Sequence, residues 1–180
     1  MLDKITFAKR YSKALFQLLD SSHELKAGFH ELIQIREILQ QTPQFMTALN
    51  NVGFPEANKR KLVNLLIKNV SSKYIKNLIK IVYACGRMDN FIELINQFER
   101  LYDQKNKIVR AQLITAVPLN DQQKAQLKNA LAQRTGANQI KFKSKVDRSI
   151  IGGVIIKSSG VIFDGSIKTK IDNMKQLLLN

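Results

Sequence analysis

The sequence predicts an α+β protein in two parts: an amino-terminal six-helix antiparallel bundle, then a small α/β carboxy-terminal domain with a β-hairpin. Three observations predict it. Apolar residues recur with helical spacing through about residue 105, and with a period of two in several short runs after it. Helix starts and stops punctuate the first part at short intervals, which is the grammar of antiparallel neighbours. The charge is also split: residues 1–105 hold 16 basic and 10 acidic side chains, whereas residues 106–180 hold 13 and four.

The first helix is "ITFAKRYSKALFQLLD". Ser21 and Glu24 in "SSHE" have capping-box spacing and predict the start of a second helix running to about Gln41. Thr42-Pro43 ends that helix and starts a short third; Phe54-Pro55 starts the fourth, through "ANKRKLVNLLIKNV". Ser71-Ser72 precedes the fifth, "KYIKNLIKIVYAC", which Gly86 closes in the left-handed conformation. Asp89 or Asn90 is the expected cap of a sixth helix reaching about Tyr102. The domain boundary is expected near 103–108, giving domains 1–105 and 106–180.

After Lys105, "KIVRAQLITAV" places Val109, Ala111, Leu113, Thr115 and Val117 on one strand face. Asn120 and Gln123 have capping-box spacing for a helix through "KAQLKNALAQRT", closed by Gly136. "QIKFKSKV" alternates again, with Ile140, Phe142 and Val146 on one side and Lys141, Lys143 and Lys145 on the other. A final helix carries Ile167, Ile171, Met174 and Leu178 in one stripe.

Composition limits the function. With 44% hydrophobic and 24% charged residues the chain has the makings of packed cores. A net charge of +15 implies an anionic partner, whether nucleic acid, membrane surface or acidic protein. The single cysteine, Cys85, excludes an internal disulfide and a cysteine metal cluster. No run reaches the ~18 apolar residues of a membrane span, and "MLDKITFAKRY" has no apolar signal core. The chain therefore reads as intracellular, soluble and bacterial.

The stretch "IIGGVIIKSSGVIFDGSIKTKI" contains the ingredients of a phosphate loop or a hydrolase site. A phosphate-cradling loop needs Gly before its Lys, but Ile156 precedes Lys157. The residues fit a hairpin better: Gly152-Gly153 bends a strand start, "VIIK" and "VIF" are strands, Ser158-Ser159-Gly160 turns between them, and Ser166 caps the last helix. His23 and His30, read on one helix seven residues apart, are two turns apart rather than at the i,i+4 spacing of a zinc pair. Asp147 and Asp164 read as turn and capping residues, and Cys85 as a small core residue. No catalytic, cofactor or metal site is predicted.

The helix faces point instead to partners. In the first helix Phe7, Tyr11, Ala14 and Leu18 form one stripe, with Ala8, Leu15 and Leu19 beside it and Ile5 and Phe16 further round. This arc of about 200° is twice the width of a one-sided stripe. The fifth helix has a similar arc, including Leu78, Ile81 and Val82. Such helices sit centrally in a bundle, or form a groove for an amphipathic helix from another protein, where small Ala14 would admit a visiting backbone.

These residues resemble the delta subunit family of the rotary F-type ATP synthase, which includes the mitochondrial oligomycin-sensitivity-conferring subunit. Ala8, Arg10, Tyr11, Ala14 and Leu15 match its "A-x-R-Y-x-x-A-L" pattern; "NLIKIVYACGRMD" is similar to its fifth helix and following turn; "VDRSIIGGVIIKSSGVIFDGSIKTKI" is similar to its carboxy-terminal signature. The resemblance implies a non-catalytic stator subunit, monomeric within the assembly and without cofactors. Its first domain would grip the amino-terminal helix of an alpha subunit through Tyr11, Ala14, Leu15 and Leu18 with Leu78, Ile81 and Val82. Its second would hold the peripheral-stalk b subunits, with Lys141, Lys143, Lys145, Ile171 and Lys175 as the implied contacts. It would lie on the cytoplasmic face of the bacterial cell membrane, attached only through the complex. The alternative from the residues alone is a basic RNA-binding protein, based on Lys141, Lys143 and Lys145 around Phe142. Strand alternation points Phe142 away from those lysines, so they do not share a stacking platform.

Overall fold

The computed structural model describes residues 4–51, 53–158 and 161–179. The chain folds as two compact units that divide after Tyr102. The whole is α+β, as the sequence predicts.

The first unit contains α1 (Lys4–Ser21), α2 (Leu25–Gln41), α3 (Pro43–Asn50), α4 (Glu56–Lys68), α5 (Lys73–Ala84) and α6 (Phe91–Lys105), which runs to just past the division. A 3₁₀ turn at Met88–Asn90 leads into α6. α1 packs on both α2 and α5, and α4 on α5. Phe91 and Phe98 of α6 are fully buried with Leu19, Leu32, Ile75 and Ile79, each such side chain contributing about 1.5–3 kcal/mol. Gly28 allows the α1–α2 approach: a Cβ there would lie 2.6 Å from Leu19 Cδ1. Arg36 of α2 donates to Glu99 Oε2 (2.6 Å) and Asn96 Oδ1 (3.0 Å) of α6. The Arg87 guanidinium lies 5.3 Å from the Phe7 ring centre, and Lys4 pairs with Asp89 at 3.1 Å, so α1 is held against the turn after α5.

The helix ends correct several expectations. "SSHE" is a helix stop, not a start: His23 takes φ +59°, its amide donates to Asp20 O, and the Glu24 amide donates to Leu19 O. That is the paired bonding that closes a helix around a left-handed residue. The Ser21 hydroxyl bonds back to Leu18 O and caps nothing. His23 is therefore off the helix that carries His30. Gly86 closes α5 by the same bonding, as the sequence predicts, with Gly86 N to Tyr83 O and Arg87 N to Val82 O. The helix stops at Ala84, leaving Cys85 exposed rather than in the core. Neither Asp89 nor Asn90 caps α6, because the 3₁₀ turn continues straight into it; the buried Asn90 Oδ1 has no partner. The α5 start is served from outside its own sequence: the Glu31 carboxylate of α2 accepts from the Ser71 and Ser72 amides at 3.1 and 3.2 Å.

The second unit contains β1 (Ile108–Thr115), α7 (Asp121–Thr135), β2 (Gln139–Val146), β3 (Val154–Ser158), β4 (Val161–Asp164) and α8 (Ile167–Leu179). The strand order is β2-β1-β3-β4, with β1 and β2 parallel across α7 and the other pairs antiparallel. Ala111, Leu113, Leu131, Ile140 and Ile156 form its core. The α7 capping box is formed in full: Gln123 N donates to Asn120 Oδ1 at 2.8 Å and Asn120 N to Gln123 Oε1 at 3.0 Å. Strand β1 ends at Thr115, so Val117 lies beyond it, 63% exposed, and Val146 at the end of β2 is also exposed. The hairpin forms as predicted; Ser159 and Gly160 of its turn lie outside the described residues. Ser166 caps α8, its Oγ accepting from Thr169 N at 3.2 Å.

Gly153 is the tightest position in the second unit. It has φ +81°, and a Cβ would sit 2.2 Å from the Gly165 carbonyl oxygen. Gly153→Ala is therefore expected to destabilise the protein by at least about 2 kcal/mol, measured by urea unfolding. An unchanged midpoint would show that the two backbones separate at little cost.

Candidate partner-binding surfaces

Of the seven residues expected to form a groove, six divide into two sets of three and Tyr11 lies between them. Leu15 (2% exposed), Leu78 (6%) and Val82 (0%) belong to the core. Ala14, Leu18 (49%) and Ile81 (45%) face outward, and Tyr11 is half-buried with its ring 4.4 Å from that of Phe7. Helices α1 and α5 are neighbours; the buried three belong to the core to which both contribute, and the outward three leave apolar surface on the same two helices. The arc of about 200° thus has two functions: one half holds the bundle together, and the other leaves apolar surface in water. Ser12 is buried within it, its hydroxyl bonded to Lys9 O at 3.1 Å.

Periodicity does not reveal a second feature of this unit. A cleft of about 720 Å³ opens beside α4 and α5, lined by Glu56, Lys59, Arg60, Asn64, Lys80 and Tyr83 among others. The Tyr83 hydroxyl donates to the Glu56 carboxylate. That bond holds the Glu56 carboxyl below its ordinary range and pushes the Tyr83 phenol up. Residues 27 apart in sequence meet here, and no local pattern announces it.

In the second unit, register sets out a basic sheet face. Arg110 pairs with Lys141, while Gln112 lies between Lys143 on β2 and Lys157 on β3. Lys143 and Lys145 are exposed and Lys141 half-buried. Phe142 packs with the core on the other face, as strand alternation predicts. Helix α8 has no buried side chain among residues 167–178. Its apolar stripe is open to solvent: Ile167 44%, Ile171 38%, Met174 63% and Leu178 86% exposed, with Lys175 exposed beside it. A 13-residue helix is marginal in water without a packed face. Lys145 of β2 and Lys168 of α8 both act on Asp147, and the 3₁₀ turn Arg148–Ile150 that follows it packs against α8.

Asp147 and Asp164 of this unit have structural partners. Asp147 accepts from the Ser149 hydroxyl (2.6 Å) and amide (3.0 Å), which hold its carboxyl below the ordinary range. Asp164 is lowered chiefly by the Ser166 amide at 2.9 Å. Among the described residues no three of His, Cys, Asp and Glu come together as a metal site, and no helix is long and apolar enough to cross a membrane.

Both units leave apolar helix residues in water, and no metal site appears among the described residues, which points to a protein that works by holding others. Comparison with known proteins identifies the assembly. The family model described as "ATP synthase delta (OSCP) subunit" matches residues 7–178. The chain is 40% identical over 179 residues to ATP synthase subunit delta of Lactiplantibacillus plantarum, covering 99% of this chain and 98% of that one. The subunit delta of Pediococcus pentosaceus is 39% identical over 178 residues, with the same coverage. A chain in the cryo-EM structure of the Toxoplasma gondii mitochondrial ATP synthase hexamer shares the fold, with a TM-score of 0.75 at 20% identity over 97% of this chain and 98% of that one. The chain belongs to the ATP synthase delta (OSCP) subunit family; it is a non-catalytic, peripheral stator component of the F-type ATP synthase. RNA binding finds no support in these comparisons.

The division of the groove residues is testable by stability alone. Leu15→Ala should cost about 2–5 kcal/mol, whereas Leu18→Ala and Ile81→Ala should stay within about 0.5 kcal/mol of the wild type, all by urea denaturation. Equal losses at all three positions would place Leu18 and Ile81 in the core.

Proposed function

We propose that the first unit grips the amino-terminal helix of one alpha subunit of the catalytic head along α1 and α5. The observation that carries this reading is the exposed apolar set Ala14, Leu18 and Ile81 on neighbouring helices. An amphipathic helix laid there would cover those side chains, above a core that includes Leu15, Leu78 and Val82. Tyr11 supplies an aromatic edge, and Ala14 leaves room for close backbone approach.

The second unit, on this reading, holds the b subunits of the peripheral stalk. Lys141, Lys143 and Lys145 would meet the acidic side chains of their helices, and Ile171 and Lys175 of α8 would add an apolar contact and a charge. The +9 carried by residues 106–180 favours encounter with an acidic partner and its orientation. Monomeric within the complex, the protein would reach the cytoplasmic face of the membrane through its partners. Its work is mechanical: holding the head still while proton flow turns the rotor. A joint that slipped would dissipate the torque, so nanomolar affinity, about 12 kcal/mol, is expected.

Calorimetric titration with a peptide of the first ~20 residues of the cognate alpha subunit, about 30 Å of helix, tests the head contact. One-to-one binding should persist at high salt and fall at least about tenfold in Ala14→Trp and Ile81→Asp, variants with wild-type melting temperatures. Absence of peptide binding, together with RNA binding that collapses as salt rises, would overturn this reading.

A further inference from the structure

The turn before β3 contains a residue whose backbone and side chain make opposite demands. Ile151 has φ +67° and ψ −47°, and the Gly152 amide donates to Ile150 O at 2.8 Å across it. That is a three-residue γ-turn of the positive-φ kind, which is rare and strained, and a β-branched residue is the least suited to it. The fold needs the turn. It delivers Gly152, whose carbonyl accepts from Ile167 N at 3.0 Å, and Gly153, which lies against Gly165. The fold does not need an isoleucine there, because the side chain is 61% exposed. Glycine would make the same turn without strain.

Its surroundings indicate what the side chain meets. The preceding 3₁₀ turn, Arg148–Ile150, packs against α8, and Gly152 abuts Ile167, so Ile151 stands beside the start of the exposed Ile167–Ile171 stripe. Lys145 and Lys168 both act on Asp147, four residues before Ile151, and Arg148 lies between. The Asp147 carboxylate is already held by Ser149, and Lys145, Arg148 and Lys168 form no ion pair among the described residues. Apolar side chains at helical spacing, framed by three cations, fit an acidic amphipathic helix with its apolar stripe turned inward.

We infer that Ile151 is an anchor for the stalk partner: the strained turn holds its side chain outward, next to α8, where an acidic amphipathic helix covers Ile151, Ile167 and Ile171 together. This rests on the stalk reading above and assigns one of its specificity-determining residues. Placing strain and exposed apolar surface at one position costs stability in the free protein, which is the expected mark of a site kept for binding.

The test uses the full-length chain and the soluble part of the cognate b subunit as probe, with titration and thermal unfolding run side by side. Ile151→Gly should melt about 2–4 °C higher than the wild type yet bind the probe at least about tenfold more weakly, while Ile151→Leu should bind within about threefold of the wild type. Wild-type binding by Ile151→Gly would overturn the inference and leave the stalk reading intact. A lower melting temperature for Ile151→Gly would also overturn it, by showing that the side chain serves the fold. Failure of the wild type to bind the probe would overturn the stalk reading, and the inference with it.

Discussion

The packing of α1 on α5, over a core that includes Leu15, Leu78 and Val82, underlies the first unit, and the partner surface proposed for it depends on that packing. An apolar arc spread over both sides of a surface helix would ordinarily be a liability, since exposed apolar patches invite association. Here the inner half of each arc is taken up by the core. The turn after α5 is tied to α1 through Arg87 on Phe7 and Asp89 with Lys4. A helix docking on α1 and α5, as proposed, would meet a surface already formed by the bundle and lose less to ordering. A formed surface also suits the mechanical role, because a stator joint must transmit force without yielding.

The second unit meets its constraint with backbone instead of side chains. Gly153 against Gly165, the Gly152 carbonyl accepting from Ile167 N, and the Asp164–Ser166–Thr169 cap bring the strand start, the hairpin end and the helix start together. This knot fixes where α8 begins but gives the helix no face to pack on. Stability and binding are therefore separated along the chain: the knot secures the fold, and the stripe beyond it remains available.

Much of this is legible in the sequence where the physics is local. The Asn120–Gln123 box, Gly86 and Gly136 as helix stops, the Ser166 cap and the alternation of Phe142 against its lysines all depend on residues within a few positions of one another. "SSHE" misleads because Ser and Glu at that spacing satisfy a start signal, while a left-handed His gives no compositional sign of a stop. Cys85 reads as a core residue because periodicity runs on past the last helical residue. Long-range features leave no local trace: Glu31 serving the start of α5, the Tyr83–Glu56 bond, and α8 standing open. The sequence also does not separate the buried from the exposed members of the expected groove set, since a stripe shows which residues share a face and not what covers it.

The account depends on one chain holding two partners at once through separate units. The most direct measurement is sedimentation velocity of the full-length protein mixed with both the alpha-subunit amino-terminal peptide and the soluble part of the b subunit, each labelled separately. A single species carrying both labels, with the affinity for each partner unchanged by the other, is the predicted result. Displacement of one partner by the other would contradict it, because a connector whose two sites exclude each other cannot link the head to the stalk.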